Sequence, residues 1–312
     1  MSSSESGSQA SEPVSTEPEA LEADLAEVQG GRQGRIESTR GRAGRAAMAG
    51  GAIAVLLVVL GVAVWLLGSD DEAARAEARR RVVSALELRG VRLEPVRPDQ
   101  LPSDRPGDSQ VTKVTLADEH LSGGAVDRAL LAQLEELGPR VVSLAQTEVT
   151  ASGIGSVVSQ PEVWGLSLLG TGIDDGSLSV LEGHLQLRLL SLERTAVSDQ
   201  GLVHLSQLTG LRQLYLTGTR VTNDGLDQLA GLTRLESLKL GGTEIGDDGL
   251  VCLARLPRLK YLTLDRTRVT DAAIPLLAEI QSLVFLDLHG TWVTSDGITT
   301  LREALPECRI EY

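Results

Sequence analysis

Aromatic residues are scarce in this chain. Its 312 residues include one Phe, three Tyr and three Trp, whereas 53 are Leu. An ordinary globular enzyme of this length places more aromatic side chains in its core. A core of small branched aliphatic side chains forms most easily when thin, similar layers stack on one another. The composition therefore favours a repeat protein.

Cysteine and basic residues are also few. The two cysteines, Cys252 and Cys308, cannot form a disulfide-stapled scaffold or a four-thiolate metal site. The 29 Lys and Arg are outnumbered by 43 Asp and Glu, which gives a net charge of -14. Phosphates would meet like charge on such a surface, so no nucleic-acid partner is predicted.

The first 110 residues fall into three segments. Residues 1–45 are acidic and then Arg-rich, have no apolar period, and are predicted to be disordered. Residues 46–68 are 23 residues without a charge, and at about 1.5 Å per residue they are long enough to cross a bilayer core of about 30 Å. Residues 69–110 begin with a capping box, Ser69 to Glu72. This box predicts a helix of about 17 residues, which Gly90 stops at Leu88, before a Pro-rich linker or N-terminal cap.

The apolar segment predicts a single-pass membrane protein. A cleaved signal peptide is disfavoured because the run starts 45 residues into the chain. Arg40, Arg42 and Arg45 lie immediately upstream, so we expect a cytoplasmic N-terminus and an extracytoplasmic C-terminal part. Gly50 and Ala54 form a small-xxx-small pair that permits self-association, but nothing else in the sequence supports it.

From residue 111 onward the chain repeats. Units of 24 residues begin at Pro139, Val163, Leu187, Leu211, Leu235, Leu259 and Leu283, after a longer unit that begins at Val111. The nth residue of a unit is called place n below. Leucines at places four and six alternate as on a short strand, and those at places 16, 19 and 22 follow a helical turn. No unit can bury both sets alone, so the units must stack.

The repeated pattern resembles a leucine-rich repeat. Its TxVTDxGLxxLxxL form is similar to repeats of planctomycete and other bacterial proteins, which are related to F-box-type leucine-rich repeats. The resemblance covers residues 111–312, about eight repeats plus a closing strand, LPECRIEY. It implies an α/β solenoid, a horseshoe with a parallel sheet on the concave face and short α or 3-10 turns on the convex face. It also implies recognition of a protein or peptide.

Two polar features recur in every regular unit. Place nine is always Thr, at Thr147, Thr171, Thr195, Thr219, Thr243, Thr267 and Thr291. We interpret these hydroxyls as a structural ladder that satisfies backbone groups from one layer to the next. The Asp, Asn, Ser and Thr residues at places 11 to 14 are interpreted as helix caps, in preference to calcium ligands.

The concave face supplies the candidate binding site. Its outward residues are small in the first units but become larger and charged toward the C-terminus, at Tyr215, Lys239, Tyr261, Asp265, Phe285, Asp287 and His289. Tyr261 and Phe285 share place three of adjacent units and should lie side by side, as should Asp265 and His289 at place seven. Aromatic residues beside charges are typical of interface hot spots. Cross-strand stabilisation of the sheet is the alternative interpretation.

The sequence favours binding over catalysis. It contains no glycine-rich phosphate loop and no nucleophile paired with a base, and its four His occupy different places, so no cofactor or metal site is predicted. A structural envelope or scaffold component is the alternative function. An enzyme or a ubiquitin-ligase-type adaptor is remote, and no F-box accompanies the repeats.

Overall fold

The computed structural model describes residues 72–95 and 112–312. The predictions for the tail, for the apolar segment 46–68 and for residues 96–111 lie outside the described residues. Within the described ranges, no helix combines the length and the apolar character that a membrane span requires.

One ten-stranded sheet runs through the described array. Its strands are β1 (Arg92–Pro95), β2 (Thr112–Thr115), β5 (Val141–Ser143), β6 (Gly165–Ser167), β7 (Leu189–Ser191), β8 (Gln213–Tyr215), β9 (Ser237–Lys239), β10 (Tyr261–Thr263), β11 (Phe285–Asp287) and β12 (Arg309–Glu311). They are paired in this order, β1 antiparallel to β2 and all later pairs parallel. A two-stranded hairpin, β3 (Leu121–Ser122) and β4 (Ala125–Val126), lies in the first unit.

The register of the sheet advances by one unit per strand. Val141 pairs with Gly165 and Leu189 with Gln213, and every step from β5 to β12 spans 24 residues. The first step, Lys113 to Val141, spans 28 because the first unit is longer. The prediction that each unit forms one layer of a parallel sheet is therefore confirmed.

Short helical segments return the chain from each strand. The α-helices are α1 (Glu72–Leu88), α2 (Arg128–Leu137), α3 (Ala151–Val158), α4 (Asp199–Leu205), α5 (Asn223–Leu226), α6 (Ile274–Glu279) and α7 (Ser295–Ala304). The 3-10 segments are Asp118–His120, Gly176–Leu181, Asp227–Leu229, Asp247–Arg255 and Asp271–Ala273.

The interior between sheet and helices is one continuous aliphatic core. In a typical unit Leu214 and Leu216 enter it from the strand side, and Leu226, Leu229 and Leu232 from the helical side, all with no exposed surface. The same cluster extends through the described units. Each layer therefore buries its leucines only against its neighbours, as a repeat solenoid requires.

Residues 72–95 cap the N-terminal end of this core. Helix α1 ends at Leu88 as predicted. Its Val82 and Leu86 join the core cluster together with Val91, while Leu88 is 89% exposed. Strand β1 covers the outer edge of β2.

Candidate functional site

The sheet has one face on the core and one open face. The middle residue of each strand, at place four, points into the core, so places three and five point to the open face. On β10, for example, Leu262 is buried while Tyr261 is 47% exposed. The open face is the surface that the sequence predicts to be concave.

The side chains on the N-terminal half of the open face are mostly buried. Val141, Trp164 and Leu189 form a separate buried hydrophobic cluster there. Ser143 and Ser191, at place five of their units, are also buried. These positions present little side-chain surface to a partner.

The C-terminal half presents larger side chains. Its seven predicted residues are called the strand-face patch: Tyr215, Lys239, Tyr261, Asp265, Phe285, Asp287 and His289. All but Tyr261 and His289 are partly buried. The Nζ atom of Lys239 lies 4.4 Å from the centroid of the Tyr215 ring, within cation–π range.

Two aromatic residues stand side by side in this patch. Tyr261 and Phe285 are register partners on β10 and β11, as predicted. The Arg309 guanidinium, on β12, lies 5.9 Å from the centroid of the Phe285 ring. Three neighbouring strands thus present two rings and a cation.

Asp265 and His289 share place seven of adjacent units, and the backbone there is adjacent, because the Arg266 amide donates to the His289 carbonyl at 2.7 Å. Their side chains, however, turn to other partners. The Asp265 carboxylate leans toward the preceding unit, where a Cβ on Gly241 would lie 2.0 Å from its Oδ1 atom. Only glycine leaves that space. His289 instead contacts Asp287, with 2.7 Å between Nδ1 and Oδ1. The 24-residue spacing predicts that Asp265 and His289 share a place in their units, but it does not predict the direction of the Asp265 side chain.

Two residues near the patch were missed in the sequence. Glu311 is the register partner of Asp287, and the 24-residue spacing between them was the available signal. Trp292, at place ten of its unit, is the second. In the structure Trp292 is 70% exposed and Arg268 pairs with Glu244 at 3.4 Å.

The place-nine hydroxyls act within their own units. In all seven units Thr Oγ1 donates to the carbonyl of the leucine three residues earlier, for example from Thr219 to Leu216 at 2.6 Å. The prediction that they join one layer to the next is therefore wrong. They close a turn whose preceding residue, at place eight, has a positive φ in every regular unit, such as Gly218 at 69° or Arg266 at 55°.

The layers are joined instead by acidic side chains at place 13. Asp199 Oδ1 accepts a bond from the Thr222 amide at 2.8 Å, and its Oδ2 accepts one from the Thr222 hydroxyl at 2.7 Å. The same two bonds run from Ser198 to Asp175, from Thr270 to Asp247 and from Thr294 to Asp271. These four aspartates, with Asn223, form an inter-layer ladder.

The ladder explains two further sequence features. Gly246 has no hydroxyl, and the ladder residue facing it is Asn223, whose Oδ1 accepts only the Gly246 amide, at 2.8 Å. The glycine at place 15 leaves room for the ladder, because a Cβ on Gly225 would lie 2.2 Å from Asp199 Oδ1. The predicted capping holds for hydroxyls such as Thr270, which accepts from the Ala272 amide at 3.1 Å.

The two cysteines are free and buried. Burial raises the pKa of the Cys252 thiol to about 11, and the nearby Asp227 carboxylate adds to the shift. Burial also raises the pKa of Cys308. Both thiols are thus protonated at neutral pH, which makes them poor nucleophiles and poor metal ligands.

The chain is similar in part to known proteins. A family model described as "Leucine Rich repeat" matches residues 232–254. No curated protein matches the chain. The solved structure of internalin C2 from Listeria monocytogenes is similar, with a TM-score of 0.48 and 21% identity over 64% of this chain and 80% of its own. Internalin F from the same organism has a TM-score of 0.42 and 17% identity, over 57% of this chain and 56% of its own. The match at residues 232–254 and the 24-residue strand register both support a leucine-rich repeat architecture for the array.

Proposed function

We propose that this chain is a single-pass membrane protein whose leucine-rich repeats bind a protein or peptide through the strand-face patch, without catalysis. The N-terminus is cytoplasmic and the repeats are extracytoplasmic in this proposal. The observation that carries it is the pair Tyr261 and Phe285, side by side on the open half of the sheet face.

The physical support is the contrast between the two halves of that face. Rigid aromatic side chains gain binding energy from burial and lose little conformational entropy. Here they stand beside Lys239 and Asp287, which can fix the orientation of a ligand. The N-terminal half keeps its apolar side chains buried, so the exposed aromatic surface of this face is concentrated at one end.

Partner capture tests the binding proposal. The full-length chain, its Tyr261→Ala/Phe285→Ala variant and a control Val203→Ala/Val251→Ala variant are used as baits on extracts of the source cells. The control residues lie on the helical side and are 48% and 49% exposed, close to the 47% of Tyr261. We expect a ligand that wild type and control retain and that the patch variant binds at least about tenfold more weakly.

Equal capture by all three baits, with unchanged thermal unfolding, would contradict a role for the patch. Self-association that is insensitive to both double variants would favour the alternative of a structural envelope or scaffold component.

Alkaline carbonate extraction of membranes tests the anchor. The proposal rests on the 23 uncharged residues at 46–68 and on Trp65, which suits a membrane interface. The full chain should stay in the membrane pellet, and a variant lacking residues 46–68 should be released, whereas one lacking residues 1–45 should not. Release of the full chain would contradict the anchor.

Protease digestion of intact cells should remove a C-terminal tag and spare an N-terminal one, and the opposite result would reverse the orientation.

A further inference from the structure

Two carboxylates and one imidazole, all able to bind a metal ion, lie together at the C-terminal end of the sheet. Asp287, His289 and Glu311 each offer a ligand atom, and these atoms all lie within 4.8 Å of one another. Within residues 72–95 and 112–312, no other group of three such side chains is found.

We infer that Asp287, His289 and Glu311 form a binding site for one zinc-type divalent transition cation. The inference does not depend on the proposed function, because it concerns the ion and not a protein partner.

The register of the strands places two like charges together. Asp287 and Glu311 are Cα partners on β11 and β12. Matched side chains on adjacent parallel strands project from the same face about 4.8 Å apart, and two carboxylates so placed repel each other. Their side chains are only 21% and 32% exposed, so water screens this repulsion incompletely. A cation between them would remove it.

The third ligand selects the class of cation. Imidazole with two carboxylates suits zinc and similar transition metals, whereas magnesium and calcium prefer oxygen ligands alone. Ligand atoms around a tetrahedral zinc ion lie about 3.4 Å apart, as follows from bond lengths of about 2.0–2.2 Å. The wider separations, up to 4.8 Å, must therefore shorten, which rotation about the flexible Glu311 side chain allows. The His289 Nδ1 and Asp287 Oδ1 atoms, 2.7 Å apart, must in turn separate. Three protein ligands leave one coordination position open.

The side chains already have partners with which a cation must compete. Asp287 Oδ1 accepts bonds from the His289 amide at 3.0 Å and contacts His289 Nδ1 at 2.7 Å. Glu311 pairs with Arg309, whose side chain is 76% exposed. The Arg309 pair is the weaker obstacle, because an exposed guanidinium loses little when it moves into water. Removing Arg309 should thus strengthen cation binding.

Titration calorimetry of the untagged full-length chain with zinc chloride tests the site. We expect one ion per chain, and at least about tenfold weaker binding in each of His289→Ala, Asp287→Asn and Glu311→Gln. Arg309→Ala should bind about two- to fivefold more tightly. The control is His204→Ala, because His204 contacts the Glu182 carboxylate at 2.5 Å without a third ligand in the described residues. It should bind zinc as wild type does.

Several results would overturn the inference. Wild-type zinc affinity in all three ligand variants would place any bound ion elsewhere. Equal binding of magnesium and zinc, unaffected by His289→Ala, would indicate an acidic surface without the imidazole ligand. Unchanged affinity in Arg309→Ala would count against Glu311 as a ligand. Circular dichroism of each variant separates loss of a ligand from loss of the fold.

Discussion

Single aspartates hold neighbouring layers together in this protein. The residue at place 13 uses both carboxylate oxygens on the cap residue of the next unit, so it satisfies an amide and a hydroxyl that the helical turn itself leaves without an acceptor. The ladder thus adds polar contacts between neighbouring layers to the apolar contacts of the aliphatic core.

Removal of one ladder carboxylate should destabilise the array. Asp199→Ala leaves the partly buried Thr222 amide without its acceptor, and we expect a loss of about 1–3 kcal/mol in the free energy of unfolding. Asp199→Asn should lose less, because an amide oxygen can still accept from the amide, as Asn223 does from Gly246. Urea unfolding measures both.

The neighbouring carboxylate provides the control. Asp224 lies in the next unit's first helical turn, is exposed, and holds no ladder position. Asp224→Ala should change stability by no more than about 0.5 kcal/mol. An equal loss in Asp199→Ala and Asp224→Ala would show that the inter-layer bonds contribute nothing measurable.

The hydrogen-bond partners of individual side chains could not be predicted from the sequence. Periodicity gave the positions of Thr219 and Asp199, but it carries no information on which of several nearby groups a side chain bonds. The Thr219 hydroxyl donates to a carbonyl of its own unit, and the Asp199 carboxylate accepts from the next unit. Asp265 likewise leans over Gly241 because that glycine leaves space, a fact visible only when two layers are compared.

At the scale of elements, the N-terminal helix closes the core. Leu86 on α1 has no exposed surface and belongs to the core cluster, whereas Leu88, two residues later, is 89% exposed. The capping box predicted the existence of this helix, and Gly90 predicted its end. The partner against which Leu86 packs could not be derived from the helix sequence alone.

The two leucines give a matched test of the cap. Leu86→Ala should lower the free energy of unfolding by about 2–5 kcal/mol, since it removes buried contacts and leaves a cavity. Leu88→Ala should change it by no more than about 0.5 kcal/mol. Hydrogen exchange should show the loss of protection first in β1 and β2. Equal, small effects of both substitutions would contradict the role of α1 as a cap.

For the whole molecule, the 24-residue period determines both the stacking of the layers and the position of the strand-face patch. The patch draws residues from four successive units, so it exists only if each unit forms one layer in a fixed register. The sequence predicted this register because the unit length never changes from Pro139 onward. It also predicted the adjacency of Tyr261 and Phe285, which follows from register alone. It did not predict that the side chains on the N-terminal half of the open face are buried, because burial of Trp164 depends on contacts between units.

Disulfide trapping on the open face tests the layer register most directly. In a chain with Cys252 and Cys308 replaced by Ala, the pair Tyr261→Cys and Phe285→Cys lies on adjacent strands, about 4.8 Å apart, within reach of a disulfide. The pair Tyr261→Cys and Arg309→Cys shares the same place but lies two strands apart, about 9.6 Å, beyond that reach. Mass spectrometry after mild oxidation should find an intramolecular disulfide in the first chain and free thiols in the second. Equal disulfide formation in both chains, or formation only in the second, would contradict the stacking of one 24-residue unit per layer.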